Sequence, residues 1–442
     1  FNMEKPTFNQ AIKFWVKLGW LSFGGPAGQI AIMHEYLVDK KKWISDKKFL
    51  HALNYCMLLP GPEAQQLATY TGWLLHGTKG GLAAGIFFVL PSVLILLLLS
   101  IIYVTFGDLP WVSALFQGLK PAVVAIVILA MIKIAKKSLV TNYHYIIALL
   151  SFIAIYFYNI SFPLIILGTI VFALVHHKWI NKSNHQSNQN SAINQDEKGY
   201  YLTTSSVIPH AGFQLKRLVS QIALFAILWV APLLLFYSLS SNFSFWQQLS
   251  LFFTQAAFVT FGGAYAVLPY VAQQAVENFQ WLSSAQMIDG LALGETTPGP
   301  LIMVLAFVGF MGGYQAFGSS LLAGSLGLLT TTYYTFLPCF LFIFAGAPNI
   351  EKTQHNTHIK HILSFVTAAV TGVILNLTLY FAEAVIFGKT AENLLSINWH
   401  EVQWLNVIWI VISVIALYRF KIDMLIWLAV SAIFGLTTYF IA

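Results

Sequence analysis

No soluble core accommodates the run GLAAGIFFVLPSVLILLLLSIIYV at 81–104. It carries no charge and is longer than the roughly 20 residues that cross the hydrocarbon of a bilayer as a helix. Further apolar runs follow it, and only 9% of the 442 residues are charged, against about 25% in a soluble domain. The chain is therefore read as an all-α polytopic membrane protein lying in the lipid bilayer. In that setting the net charge of +7 is no sign of nucleic acid; lysines and arginines mark cytoplasmic loops. The N-terminus lacks a small-residue cleavage site after a short apolar core, so no cleavable signal peptide is expected. Cys56 and Cys339 stand far apart in apolar stretches, which suits packing and not a disulfide framework.

Two stretches interrupt this apolar background. LPGPEAQQLATYTG places Pro60, Gly61 and Pro62 inside a helix-like run, and GETTPGPLIMV repeats the triplet as Pro298, Gly299 and Pro300. Each proline removes a backbone donor and crowds the preceding turn. The same offset of 238 relates FGG at 23–25 to FGG at 261–263, Trp43 to Trp281 and Ser45 to Ser283. Later the offset becomes 247, as in Pro91 and Pro338. These correspondences read as an internal duplication, a common build of secondary transporters. The polar stretch NKSNHQSNQNSAINQDEKG at 181–199 cannot form a core and reads as a linker. The expected parts are an N-terminal repeat (1–180), a cytoplasmic linker (181–215) and a C-terminal repeat (216–442) with one extra span.

Full spans are expected near 83–106, 111–132, 143–158 and 160–177, then 219–240, 319–345, 362–387, 402–418 and 422–440. The FGG and PGP regions differ. Arms such as 49–59 and 63–77 are too short to span comfortably and read as re-entrant hairpins or broken helices. Such backbone survives at membrane depth only where it is buried in protein or lines a cavity. With the N-terminus, DKKKWISDKK (39–48), Lys79, 133–142 and the linker on the cytoplasmic side, the span 219–240 inverts the second half. Every Lys and Arg except Lys389 and the mid-span Lys120 then falls at or inside the inner boundary, as the positive-inside rule requires. The halves are thus expected to be inverted repeats with hairpins meeting near the midplane, the N-terminus cytoplasmic and the C-terminus outside.

A helix that starts at mid-membrane exposes free N–H groups and the positive end of its dipole, which attract an anion without a charged side chain. Pro26 and Pro62 sit where second arms begin, a position proline suits. Gly24, Gly25 and Gly61 let a ligand approach the backbone. Gln29, Gln65, Gln66, Thr296 and Thr297 are the polar neighbours. Glu63 is the first titratable candidate for coupling, with Glu295 and Asp289 next. Lys120 is expected either to face the cavity and neutralise part of the anion's charge or to pair with a carboxylate such as Glu63.

FGGPAGQIAIMH, LPGPEAQQLATYTGWLLHG and LALGETTPGPLIMVLAFVGF resemble the chromate ion transporter family, in its long form with two fused homologous halves. The resemblance runs from about residue 8 to 440, without the linker. It implies export of chromate, a tetrahedral dianion similar to sulfate, from a prokaryotic inner membrane, giving chromate resistance. The family's motif positions fall here on Gly24, Gly25, Pro26, Gln29, Pro60, Gly61, Pro62 and Gln65, and on Gly262, Gly263, Pro298, Gly299 and Pro300. Ala264 replaces the proline after the second FGG. No cofactor, metal or enzymatic activity is expected. The twelve histidines, including the spaced His355, His358 and His361, fall in loops or near span ends. A sulfate or other oxyanion carrier and an anion channel remain the alternatives, and a homodimer stays open.

Overall fold

The computed structural model describes residues 5–23, 25–180, 199–204, 206, 214–347, 357–388 and 402–441. Gly24, most of the linker, Lys389 and His355 therefore lie outside the described residues, as does the side chain of His358. The chain is a helical membrane protein: six of its described helices are long and apolar enough to cross a bilayer.

The first half runs α1 (Phe8–Leu21), α2 (Gly25–His34), a π-helical turn (Glu35–Lys40), α3 (Asp46–Cys56), α4 (Glu63–Phe106), α5 (Pro110–Ser138), α6 (Asn142–Tyr158) and α7 (Phe162–Ile180). α8 (Leu215–Leu239) follows. The second half runs α9 (Phe243–Val259), α10 (Ala264–Ala272), a π-helical turn (Gln273–Asn278), α11 (Ser284–Thr296), a 3₁₀ turn (Leu301–Met303), α12 (Val304–Ala316), α13 (Leu321–Gly346), α14 (Thr357–Phe387), α15 (Trp404–Tyr418) and α16 (Met424–Ile441).

The 44 residues of α4 are two helices. His76 (φ −136°) and Gly77 (φ 62°) break them into an arm at 63–75 and a span at 78–106. In the second half the residues around Gly318 (φ 63°) separate α12 from α13. The π-helical turns begin at 35 and 273, the offset at which the motifs repeat, and neither is expected from apolar periodicity. Each is closed by a tryptophan amide: Trp43 N–H donates to the Leu37 carbonyl and Trp281 N–H to Ala275, both at 2.8 Å. α6 and α15 have 17 and 15 residues, fewer than the roughly 20 of a full perpendicular crossing.

α8 connects the two halves. It contains no buried residue and leans on the second half through backbone it cannot satisfy alone. Pro232 has no N–H for the Leu228 carbonyl four residues back. The Tyr333 hydroxyl donates to that carbonyl at 2.7 Å, and the Tyr334 hydroxyl to the Trp229 carbonyl at 2.7 Å. Elsewhere, small residues bring helices together. A methyl group at Gly118 of α5 would overlap the Ser431 carbonyl of α16, and one at Gly372 of α14 the Ala148 carbonyl of α6.

Candidate functional site

The four chain breaks meet, and they meet reciprocally. Gly61 N–H donates to the Thr260 carbonyl at the end of α9, at 2.7 Å. Gly299 N–H donates to the Ser22 carbonyl at the end of α1, at 2.8 Å. Ser22 and Thr260 stand one repeat apart, as do Gly61 and Gly299, so each half's PGP tip is held by the other half's FGG entrance. The packing follows the same rule. A methyl at Gly61 would lie 2.8 Å from Cys339 Sγ, and one at Gly299 2.9 Å from Ser92 Cβ. Cys56 and Cys339 are both buried free thiols.

In this geometry the expected site residues have partners within the protein. The Gly61 and Gly299 amides are engaged in protein bonds and are not free for a ligand. Gln29 is fully buried, and its Nε2 donates to the carbonyls of Gly299 (2.7 Å) and Ser22 (3.2 Å), so it staples two tips together. Gln65 Nε2 donates to Thr69 Oγ1 at 3.2 Å, and Gln66 Nε2 to the Pro60 carbonyl at 2.6 Å. The hydroxyls of Thr296 and Thr297 donate to Leu293 and Gly294 of their own helix. Pro62 is the residue before α4 and not its first residue, whereas Pro26 is the second residue of α2. Pro60, Pro298 and Pro300 hold the extended turns between arms, with Pro300 preceding the 3₁₀ turn.

The arms differ in how they are capped. The arms that lead toward the tips start at side-chain caps: Thr7 for α1, Ser45 for α3, Asn242 for α9 and Ser283 for α11. Three of the arms that start at the tips have none. Pro62 before α4, Gly263 before α10 and Pro300 before the 3₁₀ turn supply no side-chain acceptor. The first N–H groups of a helix have no partner within it. The FGG glycines also face space: a methyl at Gly25 or Gly263 would have no atom within 4 Å, and one at Gly262 only Thr367 at 3.5 Å. All these glycines have positive φ, from 75° at Gly25 to 122° at Gly61.

The ionisable groups are distributed unequally. Glu63 is the first residue of α4. Glu295 is buried and accepts a hydrogen bond from the Tyr265 hydroxyl, tying the end of α11 to the first turn of α10. Asp289 is the partner of Lys120, in place of Glu63, with Nζ 3.6 Å from Oδ1. The Tyr103 hydroxyl donates to the other carboxylate oxygen, Oδ2, at 2.9 Å. This triad joins α4 and α5 of one half to α11 of the other, and a sequence reading of Lys120 alone gives no pointer to Asp289 or Tyr103. His361 stacks on His176 with ring nitrogens 3.2 Å apart, and among the described residues no three His, Cys, Asp or Glu groups gather as a metal site.

Comparison with known proteins converges on one family. A chromate transport protein of Cupriavidus metallidurans is 29% identical over 381 residues, 85% of this chain and 83% of that protein. A probable chromate transport protein of Synechococcus elongatus is 29% identical over 371 residues, 83% of each chain. An uncharacterised transporter of Methanocaldococcus jannaschii is 27% identical over 436 residues, 98% of this chain and 96% of that one. No solved structure matches. The profile of the Chromate transporter family matches residues 9–175 and 247–436, most of both halves, and the chain belongs to that family.

Proposed function

We propose that the protein exports chromate, or a closely similar tetrahedral oxyanion, across a prokaryotic inner membrane, and that the anion binds at the N-termini of the tip arms. The observation that carries this reading is the contrast in capping. Serine, threonine or asparagine closes the arms that lead toward the tips, while three of the arms starting at the tips are left without a side-chain acceptor beside open space at Gly25 and Gly263. Free N–H groups and helix dipoles bind oxyanions at such positions. Export needs no further energy source on this arithmetic. A charge gains about 2.3 kcal/mol per 100 mV, so a dianion gains about 4.6 kcal/mol on leaving an inside-negative cell, on the order of a thousandfold.

Alternating access follows from two inverted halves joined at the tips. Contacts between distant segments support the assigned sides. The described part of the linker bridges to the lysine-rich loop, Leu202 N–H donating to the Trp43 carbonyl at 3.0 Å. Lys136 Nζ donates to the Tyr418 hydroxyl at 3.0 Å. The first contact joins segments assigned to the cytoplasm, and the second joins helix ends assigned to that side. Reporter fusions are expected to place residues 181–199 inside and the C-terminus outside; a cytoplasmic C-terminus ends the inverted arrangement.

The transport test is uptake of radiolabelled chromate into inverted membrane vesicles under an imposed potential, with sulfate and molybdate as competitors. Saturable uptake that chromate dilutes better than sulfate is expected. Equal competition makes this a general oxyanion carrier, non-saturable flux makes it a channel, and absence of flux removes the proposal.

A further inference from the structure

We propose that the cavity of about 510 Å³ between α5, α11 and α14–α16 is a second oxyanion station, with Lys120 as its cation and Asp289 as a resident carboxylate that competes with the cargo. The inference rests on the transport reading for its physiological meaning but not for its test. Lys120 lies on the wall of this cavity, together with Gln117, Ala285, Gln403, Asn406 and Thr438. The other eight lining residues are apolar or glycine, so the wall offers one cation and four neutral polar side chains set among apolar ones. The volume exceeds what a tetrahedral oxyanion with a few waters requires, taking roughly 30 Å³ for each water.

The ammonium is held loosely. Its side chain is 23% exposed, whereas that of Asp289 is 6% exposed. At 3.6 Å the pair is an ion pair without a close hydrogen bond, since N–H···O bonds lie near 2.9 Å. Asp289 Oδ1, the oxygen facing Lys120, accepts no hydrogen bond among the described residues, while Tyr103 holds Oδ2. The carboxylate is thus fixed from behind by tyrosine and leaves Lys120 able to turn toward an anion in the cavity. A dianion attracts the ammonium more strongly than a monoanionic carboxylate does at equal distance. When the cargo leaves, Asp289 takes its place and prevents a bare ammonium from retaining the anion.

Place adds to this. Asp289 precedes Thr296 by about 10 Å along α11 at the helical rise. The station is therefore separate from the PGP tip yet connected to it by one helix. Ala285, Gln403 and Thr438 stand beside segments assigned to the outer face, so on the proposed topology this is the side where cargo departs. At the 247 offset Lys120 corresponds to Thr367, and at the 238 offset Asp289 corresponds to His51, so the other half carries neither member of the pair.

The test uses the full-length protein in lipid nanodiscs, where both faces are open and no transport is needed. Thr438→Cys puts a thiol on the cavity wall; Cys56 and Cys339 are buried, and the parent protein reports any labelling they contribute. The thiol is labelled with a sulfonate-bearing and, separately, a trimethylammonium-bearing methanethiosulfonate, and the ratio of the two rates reads local charge. Sulfate is the competing probe because chromate oxidises thiols, with chloride at equal ionic strength as control. In Thr438→Cys protein, sulfate is expected to slow sulfonate labelling where chloride does not. Added Lys120→Met should lower the rate ratio about tenfold and abolish protection, whereas Asp289→Asn should raise the ratio about tenfold, each tenfold being about 1.4 kcal/mol. Lys120→Arg should keep the ratio. Opposite shifts of the ratio follow from any ion pair beside the cavity, so sulfate protection, present with Lys120 and lost in Lys120→Met, is what separates an anion station from a purely structural pair. Shifts of the same sign, or absence of sulfate protection in the otherwise unaltered Thr438→Cys protein, overturn the proposal. Protection in a protein that moves no chromate in vesicles leaves the station standing and removes the transport reading; the converse result does the reverse.

Discussion

Alanine at Gly25 or Gly263 is expected to stop transport and leave the protein folded, whereas alanine at Gly61 or Gly299 is expected to damage the fold itself. The four glycines share positive φ, at 75°, 98°, 122° and 108°. A side chain at such positions costs about 1–3 kcal/mol in strain. That cost is common to all four, so the difference between pairs comes from space. At Gly25 and Gly263 a methyl meets no atom within 4 Å and projects where the proposed anion sits. At Gly61 it meets Cys339 Sγ at 2.8 Å and Gln66 Nε2 at 2.7 Å, and at Gly299 it meets Ser92. Overpacking adds about 1–3 kcal/mol there. Thermal unfolding in detergent, beside chromate uptake, separates the pairs. Cys339→Ala should recover part of the stability lost in Gly61→Ala, because it removes the opposing sulfur. Gly168→Ala is the control, since Gly168 has open space and no positive φ; Gly81, although outside the tips, is pressed against Phe344. Wild-type transport by both Gly25→Ala and Gly263→Ala would show that the space beside the FGG motifs is not the anion's.

The helical membrane class was legible because apolar runs report the solvent around a helix directly. The breaks were legible too, since Pro60–Pro62 and Pro298–Pro300 cannot continue a helix. What those breaks do was harder to read. Gln29 looks like an anion ligand in sequence, yet its amide is committed to the Ser22 and Gly299 carbonyls from opposite halves. Nothing local marks that commitment, because it depends on which tip lies opposite. The receivers Ser22 and Thr260 act through backbone carbonyls and so carry no side-chain signature at all. Tyr103 and Asp289 were separated from Lys120 by the same difficulty: three helices from two halves converge, and each residue alone has an ordinary explanation. The π-helical turns at 35 and 273 escape a 3.6-residue pattern because one extra residue per turn shifts the apolar face without changing composition.

Replacing Lys120 by methionine is expected to weaken chromate affinity roughly thirtyfold or more, the low end of about 2–5 kcal/mol for removing one partner of a buried charge pair. The single variant has two causes behind it. It takes away the ammonium, and it leaves Asp289, whose side chain is 6% exposed, as an unpaired carboxylate that repels the dianion. A double-mutant cycle with Asp289→Asn separates them. If Lys120 serves only to neutralise Asp289, the double variant binds chromate as wild type does. If Lys120 serves the anion, the double variant recovers the part due to repulsion and stays well below wild type, while Asp289→Asn alone binds more tightly and releases more slowly. Lys120→Arg keeps a cation near the carboxylate, but its fork differs from the compact ammonium, so partial affinity is expected. Equilibrium binding to purified protein, read beside initial rates in vesicles, gives both quantities. A Lys120→Met protein with wild-type affinity removes Lys120 from the anion's path and leaves the backbone N-termini at the tips to hold the charge alone.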